Sequence, residues 1–315
     1  MLLRVLGVIG RVLIGAGIVL LLFVAYLIWG TSLQQAHTQN VLRNTLVHKA
    51  QSKVVANALS QAATLDKLPT GPPVVAPTTA APPEGSPVGE IRIPVIGIDQ
   101  VIVAGTQTQD LRQGPGHYTG TPLPGQAGNV GVAGHRTTYG HPFYNLNEVK
   151  AGDPIVLTTV QGVFVYDATT SDVVSPSDGS ILADTPGAWV TLTTCNPRFS
   201  ASSRLVVKAK LVHSELFANA PAPKPTPGAT HHDTHAKGKG AAPTSSGALA
   251  GNSNGQLLDA VLWGLALAAF GTVVLLGAHR YRRRRWFIRG GGVLVSLVLL
   301  YFFFAAIAPL LPASM

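Results

Sequence analysis

Three residue types in this chain could together carry out nucleophilic acyl transfer. Cys195 is the only cysteine among the 315 residues, and it stands at the end of an apolar run, in Thr191–Cys195. Arg204 follows where the next apolar run begins, and His135 lies well upstream in Gly131–Tyr139. A lone cysteine cannot form an internal disulfide, so on an extracytoplasmic domain it invites a catalytic interpretation.

The chemistry of these three side chains is complementary. A cysteine thiolate attacks a carbonyl carbon, and an adjacent imidazole can accept the thiol proton. The same imidazole, once protonated, can deliver a proton to a departing amine. The attacked carbonyl becomes an oxyanion, and an arginine offers a permanent charge and a rigid set of donors to it. Cys195, His135 and Arg204 therefore supply a nucleophile, an acid–base group and an oxyanion donor.

Each residue also has a plain structural explanation. A lone cysteine in an apolar strand is commonly an inert core residue, a histidine beside glycine commonly lies in a loop, and a single arginine commonly lies on the surface. The ordered combination favours catalysis. Two neighbours are candidate substrate-binding residues: Thr194, whose hydroxyl could orient either the strand end or the substrate, and Tyr139, which could line the site or simply pack.

Three long apolar stretches predict membrane anchoring. Residues 5–29, 257–278 and 290–311 are each long enough to cross a hydrocarbon core, which needs about 20 apolar residues. The segment between the last two, residues 279–289, is basic, and such loops stay in the cytoplasm. Residues 31–256 are then external, and the protein is a multi-pass plasma-membrane protein with an extracytoplasmic domain. The arginines of the basic segment are Arg280, Arg282, Arg283, Arg284, Arg285 and Arg289.

The net charge follows from this topology. The formal charge is +9, but residues 90–217 mix acids and bases about evenly, so nothing in the folded part indicates nucleic-acid binding. His231, His232 and His235 lie in a Pro/Gly/Lys linker that cannot give metal ligands a supporting shell. No metal or other cofactor is expected.

Composition divides the chain into seven segments. A single domain of ordinary size is bracketed by polar and Pro-rich linkers. The predicted segments are an N-terminal anchor (1–30), a stalk and Pro-rich linker (31–87), a catalytic domain (88–217), a Pro/Ala/Gly-rich linker (218–256), a transmembrane helix (257–278), a basic cytoplasmic loop (279–289) and a second transmembrane helix (290–311).

The central domain has the pattern of a mostly β protein. Its short β-branched runs are separated by Gly, Pro, Asn and Asp, which is typical of a sandwich or barrel. We expect a closed barrel with the candidate residues at strand ends or in adjacent loops. The predicted strands are Glu90–Ile96, Gln100–Val103, Asn129–Ala133, Pro154–Thr159, Gly162–Asp167, Ala188–Thr194 and Arg204–Val212.

These motifs resemble those of the sortase family of Gram-positive cell-surface transpeptidases. Thr191–Cys195 fits the family pattern T-L-x-T-C, Arg204 stands where the family's arginine follows the cysteine, and Gly134–Arg136 is similar to its histidine segment. The likeness covers about residues 88–217. It implies an eight-stranded β-barrel with His135, Cys195 and Arg204 as catalytic groups at its rim.

Within the family the chain most resembles class E, the actinobacterial type, in Gly134–Gly140 and Cys195–Ser200. That resemblance implies an L-A-x-T-G sorting signal in preference to L-P-x-T-G. It also implies a reaction in which Cys195 attacks the Thr–Gly carbonyl and His135 protonates the leaving amine. An amine of a peptidoglycan precursor then takes the surface protein.

Three other functions remain open on the sequence. A hydrolytic cysteine peptidase would use the same residues without an acceptor amine. A pilin polymerase would use a lysine of a protein partner, although the Asp-Pro-aromatic lid of the pilus-type enzymes is absent from residues 31–88. A non-enzymatic wall-binding module would leave Cys195 structural.

Overall fold

The computed structural model describes residues 2–49, 68–217, 253–280 and 285–308. The chain divides into two compact units. One comprises Met1–Gly30 and Ser245–Ala313, and the other comprises Thr31–Thr244 with Ser314–Met315. Most of the predicted linker 218–256, part of the predicted stalk and the centre of the predicted basic loop lie outside the described residues.

The first unit is built from three helices. They are α1 (Leu2–Ala25), α4 (Ser253–Arg280) and α5 (Arg285–Ile307), and a π-helical turn, Tyr26–Gly30, follows α1. Aromatic side chains join them: the rings of Phe23 and Phe304 are 4.9 Å apart, and Trp263 stacks on Phe302 at 4.9 Å.

The three segments predicted to cross a membrane are thus helical. Within the described ranges, no helix has both the length and the apolar character needed for a membrane span. The structure supports the helices and gives no support to the spanning part of that prediction.

The second unit contains the predicted eight-stranded barrel. The strands close in the order β1-β2-β3-β4-β7-β8-β6-β5, and β5 pairs again with β1. The β2–β3 and β4–β7 pairs are parallel and the other pairs are antiparallel. The strands are β1 (Pro87–Ile93), β2 (Ile98–Ala104), β3 (Gly116–His117), β4 (Gly128–Ala133), β5 (Pro154–Thr158), β6 (Gly162–Val174), β7 (Ala188–Asn196) and β8 (Ser203–Leu216).

Burial of branched apolar side chains holds the barrel closed. Their removal from water is the main favourable contribution to folding, at roughly 25 cal/mol per Å². The interior includes large side chains that are fully buried, with alternate residues of each strand pointing inward. Examples are Ile91, Ile93, Ile102, Leu157, Phe164, Tyr166 and Leu192.

The predicted stalk begins with a helix that lies against the barrel. This helix, α2 (Thr31–Lys49), buries Leu42 beside β2. The Gln39 amide oxygen accepts from Val101 N at 2.7 Å, and its nitrogen donates to Val101 O at 3.0 Å and to Gln113 O at 2.8 Å. The helix therefore uses side-chain hydrogen bonds to the backbone of β2 and of the turn that contains Gln113.

The Pro-rich segment that precedes β1 contacts the barrel. Ala76 N donates to Gly125 O at 2.8 Å, and Ser214 Oγ exchanges hydrogen bonds with Val74 N and Val74 O. Proline favours the extended conformation and offers free carbonyls, and Gln161 donates to the carbonyl of Pro77 at 2.9 Å. Barrel contacts thus begin well before residue 88.

Candidate active site

Parallel pairing of β4 with β7 brings His135 and Cys195 to the same edge of the barrel. Ala133 is the register partner of Thr193. His135 lies two residues after Ala133, and Cys195 lies two residues after Thr193. Gly134 N continues the ladder by donating to Thr193 O at 3.0 Å. Because neighbouring strands lie about 4.8 Å apart, the imidazole and the thiol leave adjacent strand ends.

Arg204 joins them from the other side of β7. It is the register partner of Cys195 in the antiparallel β7–β8 pair. Its Nη1 donates to the carbonyls of Ala201 and Ser203 at 3.3 Å each. Cys195 is a free thiol and is half-buried. The three residues predicted from the sequence to act together therefore lie at one rim.

His135 is buried and uncharged at neutral pH. It is 9% exposed, and burial, with a smaller contribution from the positive charge of Arg112, lowers its pKa to about 4. Its Nε2 is buried and has no hydrogen-bond partner within the described ranges. A neutral imidazole with a free ring nitrogen can accept a proton before it has to donate one.

The threonines of the cysteine motif hold the strand ends together. Thr194 is buried, and its hydroxyl donates to the carbonyl of Gly134 at 2.8 Å. This contact corresponds to the strand-orienting role, one of the two considered for Thr194. Thr193 Oγ1 lies 3.0 Å from the hydroxyl of Tyr118. Both contacts fix β7 relative to the segments that flank it.

Arg136 lies at the same rim and is hydrogen bonded to the end of β7. It is 6% exposed, and Nη1 donates to Cys195 O at 3.1 Å and to Asn196 Oδ1 at 2.6 Å. Nη2 donates to Asn147 Oδ1 at 2.9 Å. Burial, and to a smaller extent the charge of Arg198, lowers the pKa of Arg136. The guanidinium nevertheless stays fully charged at neutral pH. The only sequence signal was its place directly after His135.

Arg198 reinforces the same connection closer to the surface. Its guanidinium carbon lies 4.1 Å from the centre of the Tyr144 ring, and Nη2 donates to Asn145 Oδ1 at 3.1 Å. Nη2 also lies 3.4 Å from Asn147 Oδ1, the atom that Arg136 binds. The loop after β7 is thus joined to the loop after β4 by two arginines.

Tyr139 contacts both His135 and Arg112. Its ring centre is 5.2 Å from that of His135 and 5.4 Å from the guanidinium carbon of Arg112. Its backbone has φ of 48°, and its N–H donates to Thr31 Oγ1 at 3.2 Å. Tyr139 was predicted to bind substrate, and the structure places it beside the candidate acid–base group.

The described residues contain no group of three His, Cys, Asp or Glu side chains arranged to hold a metal ion. The chemistry at this rim can be carried by the side chains named above.

A closed β-barrel with a thiol, a neutral imidazole and a guanidinium at one rim has the features of a cysteine acyl-transfer enzyme. The model of the Sortase domain matches residues 91–212. The chain is 33% identical to Sortase D of Bacillus subtilis over 136 residues, which is 42% of this chain and 67% of that protein. The chain belongs to the sortase family of cysteine transpeptidases.

Two relatives from Streptomyces coelicolor support a class E-like sortase. Sortase SrtE1 is 33% identical over 220 residues, which is 65% of this chain and 56% of that protein. Sortase SrtE2 is 29% identical over 225 residues, which is 66% of this chain and 83% of that protein. The chain therefore spans little more than half the length of SrtE1. The structure of sortase E from Streptomyces avermitilis is 36% identical and covers 43% of this chain and 93% of its own, with a TM-score of 0.40.

Proposed function

We propose that this chain cleaves a C-terminal sorting signal between Thr and Gly and transfers the surface protein to an amine of a peptidoglycan precursor. The observation that carries the proposal is the β4–β7 register, in which Ala133 pairs with Thr193, two residues before His135 and Cys195 respectively. Arg204 faces Cys195 from β8. The catalytic groups of this proposal are Cys195 as nucleophile, His135 as base and acid, and Arg204 as oxyanion donor.

Acylation begins with a neutral imidazole. His135 accepts the thiol proton of Cys195, and the sulfur attacks the Thr carbonyl carbon of the sorting signal. The carbonyl oxygen becomes an oxyanion, which the guanidinium of Arg204 stabilises. The C–N bond to glycine then breaks, and the imidazolium of His135 returns its proton to the glycine nitrogen. The products are a thioester on Cys195 and a free amine.

Deacylation reverses these roles. The acceptor amine attacks the thioester carbon, and His135 takes a proton from its nitrogen. The C–S bond breaks, and Cys195 recovers its proton from His135. A new amide links the surface protein to the acceptor. Membrane-bound precursor and emerging surface protein are the two partners of this cycle.

The preferred signal in this proposal is L-A-x-T-G, with L-P-x-T-G as a weaker substrate. Its support is the likeness to two class E sortases and the motif segments around His135 and Cys195.

We also propose that the chain is anchored in the plasma membrane with its barrel outside the cytoplasm. The support is the apolar character of residues 5–29, 257–278 and 290–311 and the arginines between the last two. In α1, Leu13 is 65% exposed and Leu21 is 71% exposed. Exposed leucines on an apolar helix need a lipid or protein environment.

Product analysis tests the function. The full chain in detergent is incubated with an L-A-x-T-G peptide, with and without an amine, and the products are identified by mass spectrometry. An amide product that requires the amine supports transpeptidation. Release of the free acid alone, whatever the amine, would identify a hydrolytic peptidase, and selective use of a protein lysine would identify a pilin polymerase.

A further inference from the structure

We propose that Arg112, next to Tyr139 and His135, forms a carboxylate-binding subsite for the acceptor, so that the preferred acceptor carries a carboxylate close to its reactive amine. The inference rests on the proposed transfer function and adds the chemical class of the second substrate.

Arg112 is a half-buried cation without an anion. It follows the short helix α3 (Thr108–Leu111), and its guanidinium carbon lies over the ring of Tyr139. Its Nε is buried, and the described part of the chain supplies no hydrogen-bond or ion-pair partner for it. Removing a charged donor from water is costly unless a partner replaces the water. The contact with Tyr139 accounts for the position of the guanidinium and leaves Nε unpaired.

The unpaired cation lies next to the catalytic imidazole. His135 Nε2 and Thr138 Oγ1 are also buried without partners in the described residues. The charge of Arg112 is close enough to contribute to the lowered pKa of His135. The two side chains that contact the Tyr139 ring, and the residue before Tyr139, thus carry three unpartnered polar atoms: on a cation, a base and a hydroxyl. An amine delivered to the base and a carboxylate delivered to the cation would satisfy two of them.

Both segments of this subsite are held by α2. Gln39 donates to the carbonyl of Gln113, the residue after Arg112. Thr31 accepts from the N–H of Tyr139. A Cβ atom on Gly140 would meet the side chain of Gln35, so this loop also lies close against the helix. Fixing the groups before the ligand arrives lowers the entropic cost of binding.

The acceptor is the reactant that fits. The leaving glycine is followed by more residues, so its carboxyl group is already in a peptide bond. An acceptor with a free carboxylate beside its amine can form the paired hydrogen bonds that a guanidinium favours. A carboxylate there would also offset the positive charge of Arg112 and make His135 a better base for the attacking amine.

The test compares glycine with glycinamide as acceptors for the full chain in detergent. The acyl-enzyme is formed from an L-A-x-T-G peptide, and the amide product is measured relative to the hydrolysed product. Both products arise from the same intermediate, so this partition ratio is independent of the acylation rate. For each variant, the partition ratio with glycine is divided by the partition ratio with glycinamide. Comparing this quotient between variants cancels the effect of the different basicities of the two amines.

Arg112→Gln should lower that quotient at least about tenfold, since the substitution removes a charge-assisted hydrogen bond to the acceptor carboxylate. Arg112→Met keeps the apolar contact with Tyr139 and should lower it equally, which gives a second neutral variant if Arg112→Gln does not fold. Lys210→Gln is the matched control, because Lys210 lies 5.7 Å from the centre of the Trp189 ring and pairs with that residue on the barrel wall. It should keep the parental quotient.

An unchanged quotient in a folded Arg112→Gln or Arg112→Met variant would overturn the subsite and leave the transfer function intact. Absence of acyl-enzyme in the parent without any amine would instead defeat the proposed function itself, and this inference with it.

Discussion

The guanidinium of Arg136 is hydrogen bonded to the main-chain carbonyl of Cys195, with Nη1 3.1 Å from the oxygen. Arg136 follows the candidate acid–base residue directly, so one side chain connects the two halves of the proposed catalytic pair. The same nitrogen binds Asn196 Oδ1 at 2.6 Å. Arg136 therefore positions Cys195, the proposed nucleophile, by a hydrogen bond to the main-chain carbonyl of Cys195.

Arg136→Met should lower the acylation rate and the stability together. The substitution removes these hydrogen bonds to half-buried acceptors, and a hydrogen bond to a charged group contributes about 1.5–3 kcal/mol. Single-turnover acylation and thermal unfolding followed by near-UV circular dichroism measure the two effects. Arg136→Lys should recover only part of the rate, because lysine keeps the positive charge but lacks the planar guanidinium and its several donors. Parental acylation in Arg136→Met would contradict a positioning role.

The imidazole of His135 should titrate far below an ordinary histidine. Its pKa is about 4 because the ring is buried and lies near Arg112, whereas an unfolded histidine titrates at about 6.5. Between these values the unfolded chain binds more protons, so stability falls as pH decreases, by about 1.4 kcal/mol per unit. Below the folded pKa no further loss arises from this group.

Carbon-13 labelling of histidine allows a direct measurement by NMR. The His135 signal is identified as the one that His135→Gln removes. Its chemical shift should stay constant between pH 8 and about pH 5.5, because a group with a pKa of about 4 is still almost fully deprotonated there. A midpoint near the ordinary histidine value would mean that the ring is solvated or paired with an anion.

Arg204 should contribute through the transition state. Removing one oxyanion donor typically lowers turnover by about 10²–10³, so Arg204→Ala should fall in that range in steady-state kinetics with a sorting-signal peptide and saturating amine. Arg204→Lys should recover only a small part of the rate. Arg198→Ala is the control, because Arg198 binds the Tyr144–Asn147 loop rather than facing Cys195. If Arg198→Ala is inactive and Arg204→Ala is normal, Arg198 is the oxyanion donor.

The proposed topology is tested by labelling engineered cysteines in intact cells with permeabilised walls. A cysteine at Gly238 should react with an impermeant maleimide, and one at Trp286 should react only after lysis, since basic loops are retained inside. Cys195→Ala as the background removes the native thiol. The reverse labelling pattern would put the barrel in the cytoplasm and defeat wall anchoring.

Much of the barrel, and the candidate catalytic side chains at the ends of its strands, could be predicted from the sequence, because both depend on local patterns. Alternating β-branched runs predict strands such as β4 and β7, and a motif ending in Cys195 predicts a nucleophile at a strand end. The two-residue strand β3 carries no such pattern. The outer part of β6, Ala168–Val174, is largely exposed and polar, so its sequence resembles a loop.

Long-range polar contacts were the part that could not be predicted. Helix α2 docks through Leu42 and Leu46 as well as through Gln39, and a polar sequence with two buried leucines resembles a free stalk. The partner of Arg136 is a backbone carbonyl across a loop, and no residue type marks a carbonyl. Prolines of the segment before β1 predict an extended chain without indicating that Ser214 and Gln161 would bind it.

The most direct test of the central claim is the intact mass of the protein after a brief reaction with an L-A-x-T-G peptide in the absence of amine. The parent should gain the mass of the peptide up to its threonine, and peptide mapping should locate this adduct on Cys195. Cys195→Ala should gain nothing while keeping the barrel's circular dichroism, because the thiol-to-hydrogen change at a strand end removes little packing. An adduct on another residue, or peptide cleavage by Cys195→Ala at the parental rate, would contradict the account.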